Sequence, residues 1–144
     1  MAAVLPYLNF NGNTEEAFNF YRNVFGGEFT TLMRFRDVPS EYKMSDAEGD
    51  KIMHVSLPIG GGTILMGSDV PQAMGQVVMG TNFYVSIHTT SEGEANKLFS
   101  GLTEGGHVAM PLEKSFWGSY FGMFRDKYGI QWMVSYEYSQ NNNN

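Results

Sequence analysis

The chain has 144 residues, 42% of them hydrophobic and 15% aromatic, with a formal net charge of −6. That length predicts one compact domain with a sizeable core, and the acidic balance leaves no basic surplus to neutralise nucleic-acid phosphates or an anionic membrane. With no cysteine in the sequence, disulfides, thiolate catalysis and cysteine-held zinc are excluded.

The opening MAAVLPYLNF has no basic region ahead of its short apolar run and is not read as a secretory signal. No run reaches the ~18 apolar residues of a membrane span, so a soluble cytoplasmic protein is expected. Residues 4–10 read as a strand with Pro6 near its start. In NGNTEEAFNFYRNVFGG, Asn13 or Thr14 is placed to cap a helix whose first turn holds Glu15 and Glu16. Ala17, Phe18, Tyr21, Val24 and Phe25 form its apolar stripe, and Gly26–Gly27 stop it.

Residues 28–36, EFTTLMRFR, read as a strand that puts Arg34 and Arg36 on one face, as rim charges or as contacts for an anionic substrate. Residues 37–50 read as a long polar loop. Strands follow at 51–58 and 62–68, joined by IGGG as a hairpin. In KIMHVSLP, alternation puts Met53, Val55 and Leu57 on a core face and Ile52, His54 and Ser56 on the other. His54 is then a pocket-lining polar residue, a structural hydrogen-bonded histidine, or a metal ligand or base. Tyr7 and Asn9 share one face of the first strand.

The order β-α-β-β-β then repeats. After the connector 69–80, residues 81–89 read as a strand and SEGEANKLFSGLTEGG as a helix, with Ser91 and Glu94 in a capping box. Ala95, Leu98, Phe99 and Leu102 are its apolar stripe. Strands are expected around 107–114, at 119–126 and at 131–138, with DKYG turning between the last two. Phe121 and Met123 oppose Tyr120, Gly122 and Phe124; Trp132 is expected under the helix, with Gln131 and Met133 on the other face. His88 and His107 read as ordinary.

The fold class is therefore α+β: a single domain over 1–138, with module one at 4–68, module two at 80–138, and a disordered tail at 139–144. Each sheet packs one face on a helix, and the other faces are expected to enclose a cup.

The stretches PYLNFNGNTEEAFNFYRNVFGG, GGTILMGSD and FWGSYFGMFRDKYGIQWMV resemble, as a set, the vicinal oxygen chelate superfamily. That is the glyoxalase, bleomycin-resistance and extradiol dioxygenase fold, and the closer likeness is to its PhnB-like branch. The likeness spans about residues 4–137. Some members of the branch carry a 3-demethylubiquinone methyltransferase label, but IGGG joins two strands and leaves no helix N-terminus for a cofactor.

In the superfamily's metalloenzymes, the resemblance puts metal ligands near Leu5 to Tyr7, near Met66 to Ser68, near Asn82 and at Met133. None of these is His or Glu, so no cofactor is expected, and a divalent metal stays open only through a non-family set such as His54 with Asp69, Glu137 or His88. The resemblance implies a homodimer and a cup that binds a small apolar or aromatic molecule. Trp117, Phe116, Phe35, Met66 and Met133 would supply apolar contact, and His54, Tyr120, Asn9 and Tyr7 would meet polar groups. The alternative is an enzyme of the superfamily: a metal-dependent lyase, isomerase or dioxygenase, or a metal-free proton transfer with His54 as base.

Overall fold

The computed structural model describes residues 2–39 and 44–138. The chain divides into two compact units, Met1–Val78 and Met79–Asn144, and each is a βαβββ module. Unit one holds β1 (Tyr7–Phe10), α1 (Thr14–Phe25), β2 (Thr31–Arg34), a short α2 (Asp46–Asp50), β3 (Ile52–Gly60) and β4 (Thr63–Asp69). Unit two holds β5 (Val85–His88), α3 (Glu92–Leu102), β6 (His107–Lys114), β7 (Ser119–Arg125) and β8 (Gln131–Glu137). Sheet one is ordered β1-β4-β3-β2 and sheet two β5-β8-β7-β6. In both, the first strand pairs parallel with the last, and the other pairings are antiparallel. Among the described residues, no helix is long and apolar enough to cross a membrane.

In unit one, α1 buries Ala17, Phe18 and Tyr21 against Leu8, Phe10, Val55, Leu57 and Leu65 of the sheet. Gly67 permits the approach, because a Cβ there would stand 2.6 Å from the Phe18 ring. In unit two, α3 buries Ala95, Leu98 and Leu102 over Phe124, Trp132 and Val134. There the close approach falls at Gly122 beneath Phe99. These helix-covered faces leave the alternate residues of each strand on an open face.

Two buried carboxylates hold the corners. Asp69, at the end of β4, accepts the N–H groups of Gly12 and Thr14 and the Thr14 hydroxyl on Oδ1, and the Ile52 N–H on Oδ2. The start of α1 is thus capped from the far end of the module, while the expected N-cap side chain of Asn13 makes no capping bond. Asp126 accepts from the N–H groups of Tyr128 and Ile130 and from Trp132 Nε1, fixing the DKYG turn and the core indole together.

Several expected elements shrink or move. The run 28–36 is a strand only over Thr31–Arg34, and Phe35–Asp37 form a 3-10 turn. The pairing register breaks between Met33 and Arg34, and the Asp37 carboxylate takes the Arg34 N–H at 2.9 Å, turning the chain out of the sheet. The expected loop 37–50 contains α2, capped by Ser45 Oγ accepting the Glu48 N–H. The strand expected over 81–89 is confined to Val85–His88; ahead of it, the Phe83 carbonyl accepts from the Gln131 side chain. Residues 139–144, expected as a disordered tail, lie outside the described residues.

Candidate functional site

The open face of sheet one is set by register. Tyr7 stands opposite Met66, and Met66 opposite Ser56; Asn9 stands opposite Ser68, and Met33 opposite His54. Directly opposed residues share a face, so Tyr7, Asn9, Met33, His54, Ser56, Met66 and Ser68 lie together on the side away from α1. His54 is bound at both ring nitrogens. Tyr7 Oη lies 3.1 Å from Nδ1 and Ser56 Oγ 2.8 Å from Nε2, with the Tyr7 and His54 rings 5.6 Å apart and tilted by 32°. Ser68 Oγ donates to Asn9 Oδ1 at 3.2 Å. The result is a row of hydroxyl, imidazole and amide groups beside two thioethers, those of Met33 and Met66. It brings together four of the residues expected from sequence: Tyr7, Asn9, His54 and Met66.

The open face of sheet two carries Ser86, His88, Phe121, Met123, Met133 and Ser135 by the same logic. His88 is again held at both nitrogens, by Ser135 Oγ at 3.2 Å and Ser86 Oγ at 3.3 Å. Trp117, 52% exposed, meets Phe121 and Phe116 by ring edges at 5.8 and 4.9 Å. Phe116 is 98% exposed. Met133 lies on the same face, opposite Ser86 and Met123.

Two expected residues stand elsewhere. Tyr120 opposes Tyr136 on the helix side of sheet two, and its hydroxyl donates to Asn96 of α3 at 2.6 Å. It belongs to the helix attachment, because it shares the parity of Gly122 and Phe124 and not that of Phe121. Phe35 leaves the sheet in the 3-10 turn and lines a surface hollow with Val38 and Met44. The expected anion contacts are also taken. Arg34 forms a two-pronged pair with Glu15, whose hydrogen bond raises the guanidinium above its ordinary pKa, and Arg36 pairs with Asp50. A cleft of about 540 Å³ lies beside these residues, and Lys51 within it is bound to Glu48. It therefore offers an anion three cations that already have partners.

Residues 5–134 match the Glyoxalase/Bleomycin resistance protein/Dioxygenase superfamily. The chain belongs to that superfamily, the vicinal oxygen chelate fold. It is 27% identical to Protein YjdN of Escherichia coli, over 90% of this chain and 92% of that one. Among solved structures it is similar to protein PA1353 from Pseudomonas aeruginosa, with 40% identity, a TM-score of 0.83 and coverage of 95% of this chain and 98% of that one. It is also similar to a putative 3-demethylubiquinone-9 3-methyltransferase, PhnB protein, from Bacillus cereus, at 25% identity, TM-score 0.74 and coverage of 94% and 99%.

Whether these residues fit a superfamily metal ion follows from the same registers. In unit one the pertinent neighbours are Tyr7, Met66 and Ser68. In unit two Asn82 lies ahead of β5, and the residue across from Met133 is Ser86. Within each unit taken by itself, these phenol, thioether, hydroxyl and amide groups are poor ligands for a hard or borderline divalent ion, which takes imidazole and carboxylate. Among the described residues, no group of three or more His, Asp or Glu side chains converges to hold one. The residues present do not fit the metal.

Sequence reasoning put Ser56 on the face of His54 and Ser68 at a superfamily ligand position without giving either a hydrogen-bonding role, and it read His88 as ordinary, so the Ser86–His88–Ser135 cluster was not assembled. Strand parity offered Ser56, since His54 and Ser56 alternate together. The partners of Ser68 and Ser135 become visible only when the first and last strands of each module are paired.

Proposed function

We propose that the open face of module one binds a small uncharged molecule carrying a polar oxygen, without a metal ion. One observation carries the reading: the seven residues Tyr7, Asn9, Met33, His54, Ser56, Met66 and Ser68 include no Asp, Glu, Lys or Arg, and Arg34, which stands opposite Ile52 past the break in register, is already paired with Glu15. A charged ligand brought onto this face would lose water without meeting a counter-charge, whereas an uncharged one loses little. Met66 and Met33 give adaptable apolar contact, and the hydroxyls, amide and imidazole give direction to the ligand's oxygen.

The methyltransferase in the Bacillus cereus protein's title is not carried over. Gly60, Gly61 and Gly62 have positive φ and turn β3 into β4, so no helix start stands behind them to receive a cofactor phosphate. The same reading takes the chain as a cytoplasmic homodimer, on the strength of its family.

The test is a titration of methyl-labelled methionine protein with benzyl alcohol, anisole and benzoate, followed by NMR. The neutral compounds are expected to shift the Met66 and Met33 methyls and leave Met74 unmoved, while benzoate shifts none. Binding of benzoate in preference to the neutral pair, or no response at Met66 and Met33, overturns the reading.

A further inference from the structure

The Ser56–His54–Tyr7 chain has a direction, and burial sets it. Ser56 is 8% exposed, and among the described residues its Oγ has a single hydrogen-bond partner, His54 Nε2. Tyr7, at the other end, is 44% exposed. A neutral imidazole carries one N–H, so two arrangements compete. With the proton on Nε2, the ring donates to Ser56, Tyr7 donates to Nδ1, and the buried Ser56 proton is left without an acceptor. With the proton on Nδ1, Ser56 donates to Nε2, Nδ1 donates to Tyr7 Oη, and the one O–H left over is that of Tyr7, at the exposed end. A buried donor without an acceptor is a costly defect, and an oxygen with a spare lone pair is a smaller one.

We infer that His54 is the Nδ1–H tautomer and that the Tyr7 hydroxyl is the free donor of this face. Resting on the binding reading above, this names the ligand class. The ligand's oxygen is an acceptor, a carbonyl as in a ketone, quinone or amide, and it meets Tyr7. His54 is then a positioning residue acting through Tyr7, with Ser56 behind it. Three linked hydrogen bonds polarise one another in the same sense, which makes Tyr7 a stronger donor than a lone phenol.

The first arm of the test needs no ligand. Long-range proton–nitrogen correlation spectra of the imidazole rings, taken above the ordinary histidine titration range, distinguish the tautomers of His54, His88 and His107. The expected result is a protonated Nδ1 and a bare Nε2 for His54; the reverse pattern overturns the inference. In Ser56→Ala, the preference for Nδ1–H is expected to be lost, with backbone spectra reporting that the variant is folded. An unchanged pattern in the folded variant overturns the role given to Ser56.

The second arm compares 4-fluoroacetophenone with 1-ethyl-4-fluorobenzene by fluorine NMR. The ketone is expected to bind about five-fold or more tightly than the hydrocarbon, and the margin to vanish in Tyr7→Phe. Equal binding of the two probes overturns the carbonyl assignment and leaves the binding reading intact. Absence of binding by both overturns the binding reading, with the carbonyl assignment that rests on it, and leaves the tautomer to stand or fall on its own spectrum.

Discussion

Asp69 Oδ2 accepts the backbone N–H of Ile52 at 2.9 Å, while Oδ1 holds the first turn of α1. One buried carboxylate therefore fixes both the helix and the start of the strand that carries His54 two residues on. Asp69→Ala leaves three buried or half-buried N–H groups without an acceptor and is expected to cost about 3 kcal/mol or more. Asp69→Asn, which keeps one acceptor oxygen, should cost less. Denaturant unfolding of the two variants measures both, and equal, small losses would contradict the hub.

The close packing of helix on sheet gives opposite expectations for two glycines. At Gly67 a Cβ would stand 2.6 Å from the Phe18 ring and 2.9 Å from the Leu8 carbonyl. Gly67→Ala is therefore expected to destabilise by roughly 1–3 kcal/mol through overpacking. At Gly93, inside α3, a Cβ would meet nothing within 4 Å, so Gly93→Ala should stabilise by roughly 0.5–1 kcal/mol. Thermal unfolding of the pair reads the signs directly.

The two tyrosines separate attachment from recognition. Tyr120→Phe removes the bond to Asn96 of α3 and is expected to cost roughly 1 kcal/mol of stability with fragment affinity unchanged. Tyr7→Phe should do the reverse. Parallel unfolding curves and fluorine NMR titrations check the exchange of roles, and a loss of affinity in Tyr120→Phe would contradict the placement of its hydroxyl.

His54→Ala removes the centre of the hydroxyl chain and frees both Tyr7 and Ser56. The expected effect on a neutral carbonyl fragment is a loss of affinity of about two- to five-fold, no larger than that of Tyr7→Phe, because the Tyr7 hydroxyl remains but loses its orientation and polarisation. Binding as tight as that of the unaltered chain would remove His54 from the account.

Much of this was legible in the chain. Helix stripes at Ala17, Phe18 and Tyr21 and at Ala95, Leu98 and Leu102 follow from period alone, and the Ser91–Glu94 signature marks α3 because capping is local. The same Ser-x-x-Glu signature stands at Ser45–Glu48 but was hidden inside a polar, glycine-containing stretch. Parity within β3 placed His54 on the open face. What parity within one strand does not supply is register between strands, and that decides which hydroxyls meet the imidazole: Tyr7 reaches His54 past Met66 of the intervening strand. Tyr120 shows the opposite limit. Its parity was read correctly, yet the choice of helix face or open face depended on Phe99 packing over Gly122. Phe35 left the sheet because a single side chain, Asp37, captured the Arg34 N–H.

Native mass spectrometry, with metal analysis, of the untagged chain purified without chelator decides between a metal-free face and a metal centre. The expected result is a species near twice 16.1 kDa with no stoichiometric divalent ion. One metal ion per chain would contradict it, because the open face of module one would then be serving a ligand set other than the hydroxyl–imidazole chain described above.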